Sequence, residues 1–199
     1  VRATDEASRG IEDYQQRVRE HPGSAAAHFN LGLAYTQRGR PRRAAQAYRK
    51  ALELQPDLVE AWVNLGGVLL LQWDFPGSIA ANEEALKRQG DLLLAHYNIG
   101  QARLYLGDTE GVLRSYRRVV ELDPEHAAGR YYLAVGLLAA GEVREAVEEL
   151  ARAKALGHSP APEFLRALET ATMELIRSTD NGNANDTGAE APEPEKEEN

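Results

Sequence analysis

The chain has 199 residues, 43% hydrophobic and 27% charged, with no cysteine and a net charge of −8. That composition describes a globular protein able to bury roughly 70% of the surface its unfolded form exposes. It excludes a disulfide frame, a thiolate nucleophile and cysteine-ligated zinc or iron–sulfur centres. The longest uncharged apolar run, Tyr131 to Gly141, has 11 residues, short of the roughly 20 that a membrane-spanning helix needs, and no basic-then-apolar signal segment opens the chain.

A period of 34 residues organises the rest: Leu31, Leu65, Ile99 and Leu133 recur at that interval, followed by Gly32, Gly66, Gly100 and Ala134. Ala44, Ser78, Val112 and Ala146 keep the register, as do Ala51, Ala85, Val119 and Ala153, and Tyr48, Asn82, Tyr116 and Leu150. The period reaches back to Tyr14 and Pro22. Within each unit the apolar residues fall at helical spacing in two segments separated by a break, so each unit is a helix pair.

In chain order, Ser24 is expected to cap a helix running to about Arg38, and Gly39 supplies a positive-φ stop. A second helix runs from about Arg42 to Leu54 and ends before Pro56. Gly107 and Gly141 repeat the stop, and Asp57 and Asp123 are placed to cap the helices after their turns. The small residues after Leu31 and its equivalents let two antiparallel helices approach closely. Beyond the last unit, Phe164, Leu165, Leu168, Leu175 and Ile176 form one apolar stripe. Residues 180 to 199 hold seven acids and one base, Lys196, which leaves −2 for residues 1 to 179. The span 179–199 is expected to be a disordered acidic tail. The basic cluster Arg38, Arg40, Arg42, Arg43, Arg49 and Lys50 is expected to solvate a face, and no nucleic-acid partner is expected.

The segments HFNLGLAYTQRGRPRRAAQAYRKALELQP and AWVNLGGVLLLQWDFPGSIAANEEAL resemble the tetratricopeptide repeat (TPR). The resemblance covers four repeats, 25–58, 59–92, 93–126 and 127–160. Residues 1–22 are similar to the second helix of a truncated preceding repeat, and 161–178 to the helix that caps such arrays. It implies an all-α, right-handed superhelix, an α-solenoid of about ten helices. A capping helix covers the stacking face of the last repeat.

The second repeat departs furthest from the pattern, with Trp73 at the Gly39 register, Asn82 at that of Tyr48 and Tyr116, and Gly90 in place of proline. Arg103 and Arg130 stand at core registers. A buried guanidinium there would need a carboxylate or carbonyl partner, and snorkelling to the surface is the expected alternative.

No catalytic constellation is legible. HExxH, a phosphate loop and G-x-S-x-G are all missing, and the adjacent acids Glu83/Glu84 and Glu148/Glu149 point in different directions on helices. His28 and His96 share the register of Trp62 and are expected to face the helix-pair core, with His21, His126 and His158 at turns. A non-enzymatic protein with no metal and no cofactor is therefore expected.

Function then rests on surfaces. Asn30, Asn64 and Asn98 recur at the repeat period on the first helices, where stacking lines them up as a ladder. An amide offers a donor and an acceptor to the backbone of an extended peptide. The resemblance implies such peptide contact on a concave face, although the same amides can instead bond neighbouring helices. Phe29, Val63, Tyr97 and Tyr131 are the adjoining groove positions, with Leu33, Gln101 and Val135 one turn on and Glu60 as an isolated charge. They give an apolar, aromatic channel, unless adjacent repeats cover it. Leu94 and Asn98 stand where carboxylate-gripping relatives carry basic residues, so a clamp for a chain terminus is not expected.

The expected role is an adaptor or scaffold that binds another protein or a peptide segment in its groove. One alternative is an assembly subunit held through the array ends or convex face, with Trp73 and Phe75 as a second candidate interface. Another is a regulatory region cut from a larger enzyme. Self-association through the N-terminal end is also open. The start at Val1 leaves both a cytoplasmic and a periplasmic location open.

Overall fold

Ten α-helices follow one another through the described residues of the computed structural model, which are 2–186, with side chains from 10 to 178. They are α1 (Arg2–Glu20), α2 (Ala25–Gln37), α3 (Pro41–Leu54), α4 (Val59–Leu70), α5 (Phe75–Arg88), α6 (Leu93–Leu106), α7 (Thr109–Leu122), α8 (Ala127–Ala139), α9 (Val143–Ala155) and α10 (Pro162–Asp186). Helices α2/α3, α4/α5, α6/α7 and α8/α9 form antiparallel pairs, each packed on the next, with α1 against α2 and α10 against α9. Helix α4 also meets α6, so successive first helices line one side of the array. This is an α-solenoid, built from the period read in the sequence.

Local chemistry sets the helix ends. The Ser24 hydroxyl accepts from the Ala27 N–H at 3.2 Å, as expected of an N-cap. Asp57 does not cap α4: the helix starts after Leu58, and the Asp57 carboxylate instead lies 3.4 Å from Nε of Arg88. Asp123 accepts from Glu125 N–H within its turn, and α8 is capped by His126, whose Nδ1 accepts from Gly129 at 2.9 Å. Asp74 and Asp108, not singled out from the sequence, cap α5 and α7 through Gly77 and Gly111.

Each pair closes around small residues. A Cβ on Gly32 would fall 2.5 Å from the Tyr48 ring, so the glycine is what lets α2 and α3 seat that fully buried tyrosine. Its hydroxyl hydrogen-bonds Thr36 at 2.9 Å, so burying the phenol leaves no polar atom unpaired. Tyr116 repeats the arrangement with Gln101 donating at 2.8 Å. In the second pair the same slot holds Asn82, fully buried, whose amide donates to Ser78 O at 2.8 Å. The apolar core accordingly divides into one cluster around Tyr48, one around Tyr116, and a small one of Val63, Ala85 and Ala95 between them.

Both core-register arginines overturn the snorkelling expectation. Arg130 donates to Glu149 at 2.7 Å, with only 13% and 11% of the two side chains exposed. Arg103 lies 3.6 Å from Glu83 and 3.7 Å from Asp108. Each guanidinium finds its carboxylate on a neighbouring element, which removes the need to reach water.

At the C-terminal end Leu168 is buried and Phe164 and Leu165 pack beside it, while Ile176 stays more than half exposed. Helix α10 continues to Asp186, past the expected end at 178. The acidic tail expected from 179 thus begins within that helix, and its residues 187–199 lie outside the described residues.

Candidate interaction groove

The first helices present their asparagines in three different states. Asn30, half-buried on α2, makes no side-chain hydrogen bond among the described residues. Asn64 on α4 donates to its own helix at Glu60 O, 2.7 Å away, which leaves its Oδ1 to accept from an incoming donor. Asn98 on α6 is 7% exposed and donates to Asn82 Oδ1 at 3.2 Å. The amide turns inward because Asn82 is shorter than the tyrosine of the other pairs and Gly67 leaves room: a Cβ there would lie 3.7 Å from Asn98 Nδ2.

The aromatic positions beside them mostly seal joints between repeats. Phe29 tilts on Tyr48 at 5.8 Å. Val63 is buried against Ala85 and Ala95. Tyr97 contacts Tyr116, His126 and Tyr132, at ring distances of 5.7, 5.5 and 6.1 Å. Tyr131 is buried, stacked on His158 at 4.4 Å and edge-on to Phe164 at 5.3 Å. Gln101 is held by Tyr116. The open channel is therefore shorter than the sequence suggested, since Phe29 packs within its own pair and Tyr97 and Tyr131 reach Tyr132 and Phe164 of the next unit. Burial raises the Tyr97 and Tyr116 hydroxyl pKa values, with neighbouring tyrosines adding to it, so both stay neutral.

What remains open is a cleft of about 410 Å³ between α4 and the start of α6. It brings together Glu60, Val63 and Asn64 with Leu92, Leu93 and Leu94. Leu94 is 54% exposed. The cleft has an apolar floor, the exposed carboxylates of Glu60 and Asp91, the latter paired with Arg118, and the amides of Asn64 and Gln89, which suits an extended chain carrying an apolar side chain. Leu94 enters it as an apolar contact at a position noticed in the sequence only for lacking charge.

Below the cleft the turns are tied by a step that the sequence did not disclose. Trp62 Nε1 donates to Pro56 O at 2.8 Å. His28 meets Pro22 O at 3.0 Å, His96 meets Gly90 O at 3.3 Å, and Arg130 Nε donates to Pro124 O at 2.7 Å. The two histidines thus reach back to the preceding turn rather than facing only the pair's core. At this register a side-chain N–H donor is required more than an apolar body. Burial pushes the His96 pKa below its ordinary value, partly offset by the Gly90 carbonyl.

Trp73 and Phe75 lie elsewhere, at the turn between α4 and α5. They cluster with Tyr105: Trp73 is 5.9 Å from Phe75 and 5.4 Å from Tyr105, and Phe75 stacks on Tyr105 at 4.8 Å. Among the described residues no helix is long and apolar enough to cross a membrane.

Comparison with known proteins agrees with this architecture. Family models described as tetratricopeptide repeat match residues 25–58 and 97–160. A protein of Pseudomonas putida named as the biofilm formation methyltransferase WspC is 38% identical over 64 residues, which are 32% of this chain and 15% of that protein. The chain thus spans about 15% of the length of that relative. Among solved structures, MamA superposes with a TM-score of 0.73 at 19% identity, over 78% of this chain and 91% of its own. MamA from Desulfovibrio magneticus gives 0.71 at 20%, over 75% and 85%. YrrB, described as a TPR protein with an unusual peptide-binding site, gives 0.69 at 20%, over 85% and 86%. At such identities the structures show the shared fold. With the repeat period, the paired helices and both family matches in agreement, the chain is a member of the tetratricopeptide-repeat family, an α-solenoid scaffold for protein interaction.

Proposed function

We propose that the chain acts by binding rather than by catalysis, receiving an extended segment of a partner protein in the cleft between α4 and α6. The observation that carries this reading is the junction of an exposed Leu94 with Glu60, Val63 and Asn64 around one cleft. An incoming backbone N–H meets Asn64 Oδ1, and an apolar side chain fills the space over Leu92–Leu94. Asn30 extends the same face on α2, whereas Asn98 supports it from within. The original ladder of three equal amides thus becomes two available amides and one structural one.

Affinity capture from native extract, quantified by mass spectrometry, tests the reading. Wild type is compared with Asn30→Ala/Asn64→Ala and with Leu94→Asp, after circular dichroism has shown that all fold. Partners lost from both variants support the cleft. Equal capture by all three proteins rejects it.

The match to WspC favours a second reading, in which these repeats are an interaction region of a longer enzyme-bearing protein. Sequencing the gene on both sides of the segment for Val1 to Asn199 tests it. An open frame that continues into a catalytic domain supports it, and immediate stop and start signals reject it.

A further inference from the structure

The edge of the array formed by the turns within each helix pair changes character along its length. Leu71, Trp73, Tyr105 and Leu106 occupy it in the second and third pairs, all more than half exposed. Trp73 holds a left-handed backbone at φ 62°, the register where Gly39, Gly107 and Gly141 stand at 61°, 71° and 80°. A bulky residue is strained in that conformation, yet here it presents its indole outward. Beside it opens a cleft of about 540 Å³, lined by Leu71 and Trp73 from the turn after α4 and by Arg40, Arg42 and Arg43 around the start of α3. Gln72 braces its base by donating to Pro41 O at 3.2 Å and Val68 O at 3.1 Å. Among the described residues none of those three arginines has a carboxylate partner, whereas Arg88, Arg103, Arg118, Arg130 and Arg152 all do. The Asp74 carboxylate at the rim accepts from Gly77 N–H.

Arg43 lies over the Tyr35 ring at 5.8 Å, and guanidinium groups without a carboxylate partner beside an exposed indole call for an acidic segment with rings or apolar groups that pack on indole. We propose that this cleft receives residues 187–199 of a second copy of the chain. That segment contains Glu190, Glu193, Glu195, Glu197 and Glu198 against the single base Lys196, with Pro192 and Pro194 between the acids. Carboxylates pair with the arginines, and proline rings pack on aromatic faces.

The segment starts on the correct edge. Thr172 and Leu175 of α10 lie beside Val143 and Val147 at the start of α9, so α10 runs toward the same edge as the Trp73 turn. Within one chain the first half of the segment cannot reach the cleft. Pro192 follows Asp186 by six residues and extends at most about 20 Å. From α10 back to α4 are three first-helix spacings of about 8–10 Å, or about 24–30 Å. A second copy meets no such limit, and the contact is head-to-tail.

Sedimentation velocity of the full chain across a concentration series at low salt tests this. Wild type is expected to associate as concentration rises, with the association weakened by added salt. Arg40→Glu/Arg42→Glu/Arg43→Glu and Glu190→Lys/Glu193→Lys/Glu195→Lys are each expected to stay monomeric, and their equimolar mixture to associate again. Trp73→Gly, which suits the backbone conformation, should weaken association about tenfold or more. A wild type that is monomeric at every concentration overturns the proposal. So does undiminished association of either charge-reversed protein alone, failure of the mixture to associate, or a Trp73→Gly protein that associates as wild type does.

Discussion

Arg130 and Glu149 form an ion pair that joins α8 to α9 from a register where the other repeats place Trp62 or histidine. Glu149 Oε2 accepts from Arg130 at 2.7 Å while its other oxygen is held by Arg152. Both members of the Arg130–Glu149 pair are close to fully buried, so removing one leaves a charge with little access to water. Glu149→Leu should cost about 3 kcal/mol, and Arg130→His/Glu149→Leu, which keeps a ring N–H for Pro124 O as His28 and His96 do for their turns, should recover most of that loss. Urea unfolding of the two variants checks it, and a double variant as unstable as the single one would count against the pair.

Gly32→Ala tests the packing of α2 on α3. The new methyl would lie 2.5 Å from the ring of Tyr48, which is fully buried and anchored through Thr36. Thr36 is itself bonded to Gly32 O, so the ring has nowhere to retreat. Overpacking costs about 1–3 kcal/mol and exceeds the gain of about 1 kcal/mol in helix propensity. Gly23→Ala, with no atom within 4 Å of the new methyl, is the neutral control. Thermal melts of the two proteins should separate clearly.

The period of 34 made the helix pairs, the stops at Gly39, Gly107 and Gly141 and the Ser24 cap legible, because each depends on residue type and local spacing. Side-chain direction at the candidate site was not legible. Asn98 looks identical to Asn30 and Asn64 in the sequence, and its inward turn depends on two residues elsewhere, Asn82 and Gly67. Arg130 is separated from Glu149 by 19 residues, so its partner emerges only once α8 and α9 pair. Asp57 looked like a cap, but Arg88 competes for its carboxylate. The motif D-x-x-G at Asp74 and Asp108 was a readable cap signal that the repeat register obscured.

Trp73 offers a test of strain against contact. Glycine at φ 62° relieves about 1–2 kcal/mol of left-handed strain. The substitution forfeits aromatic contacts with Phe75 and Tyr105, worth about 0.5–1.5 kcal/mol, and adds glycine's backbone entropy of about 0.5–1 kcal/mol. These nearly cancel, so Trp73→Gly should stay within about 1 kcal/mol of wild type. Trp73→Ile keeps a side chain but adds β-branching at positive φ, and it should be clearly less stable than Trp73→Gly. Equal urea midpoints for the two variants would mean that the turn does not enforce the left-handed backbone in solution.

His96 should give the array a pH dependence of definite sign. Burial lowers its pKa below the ordinary 6.5, with the Gly90 carbonyl pulling it back up, Arg118 pushing it down, and Asp91 and Glu121 raising it. Because the folded value is the lower one, the unfolded chain binds more protons between the two values. The stability linked to neutral His96 is therefore fully present above about pH 6.5 and is lost as pH falls through the depressed folded value. Glu84, held below its ordinary value by Arg88 and Lys87, adds a loss of the same sign at more acidic pH, below the ordinary value of 4.5. His96→Gln keeps an N–H for Gly90 and removes the titration. Its urea midpoint should stay nearly flat just below pH 6.5, where that of wild type declines. Parallel declines in the two proteins would assign the slope to other groups and leave His96 as a tie to the turn alone.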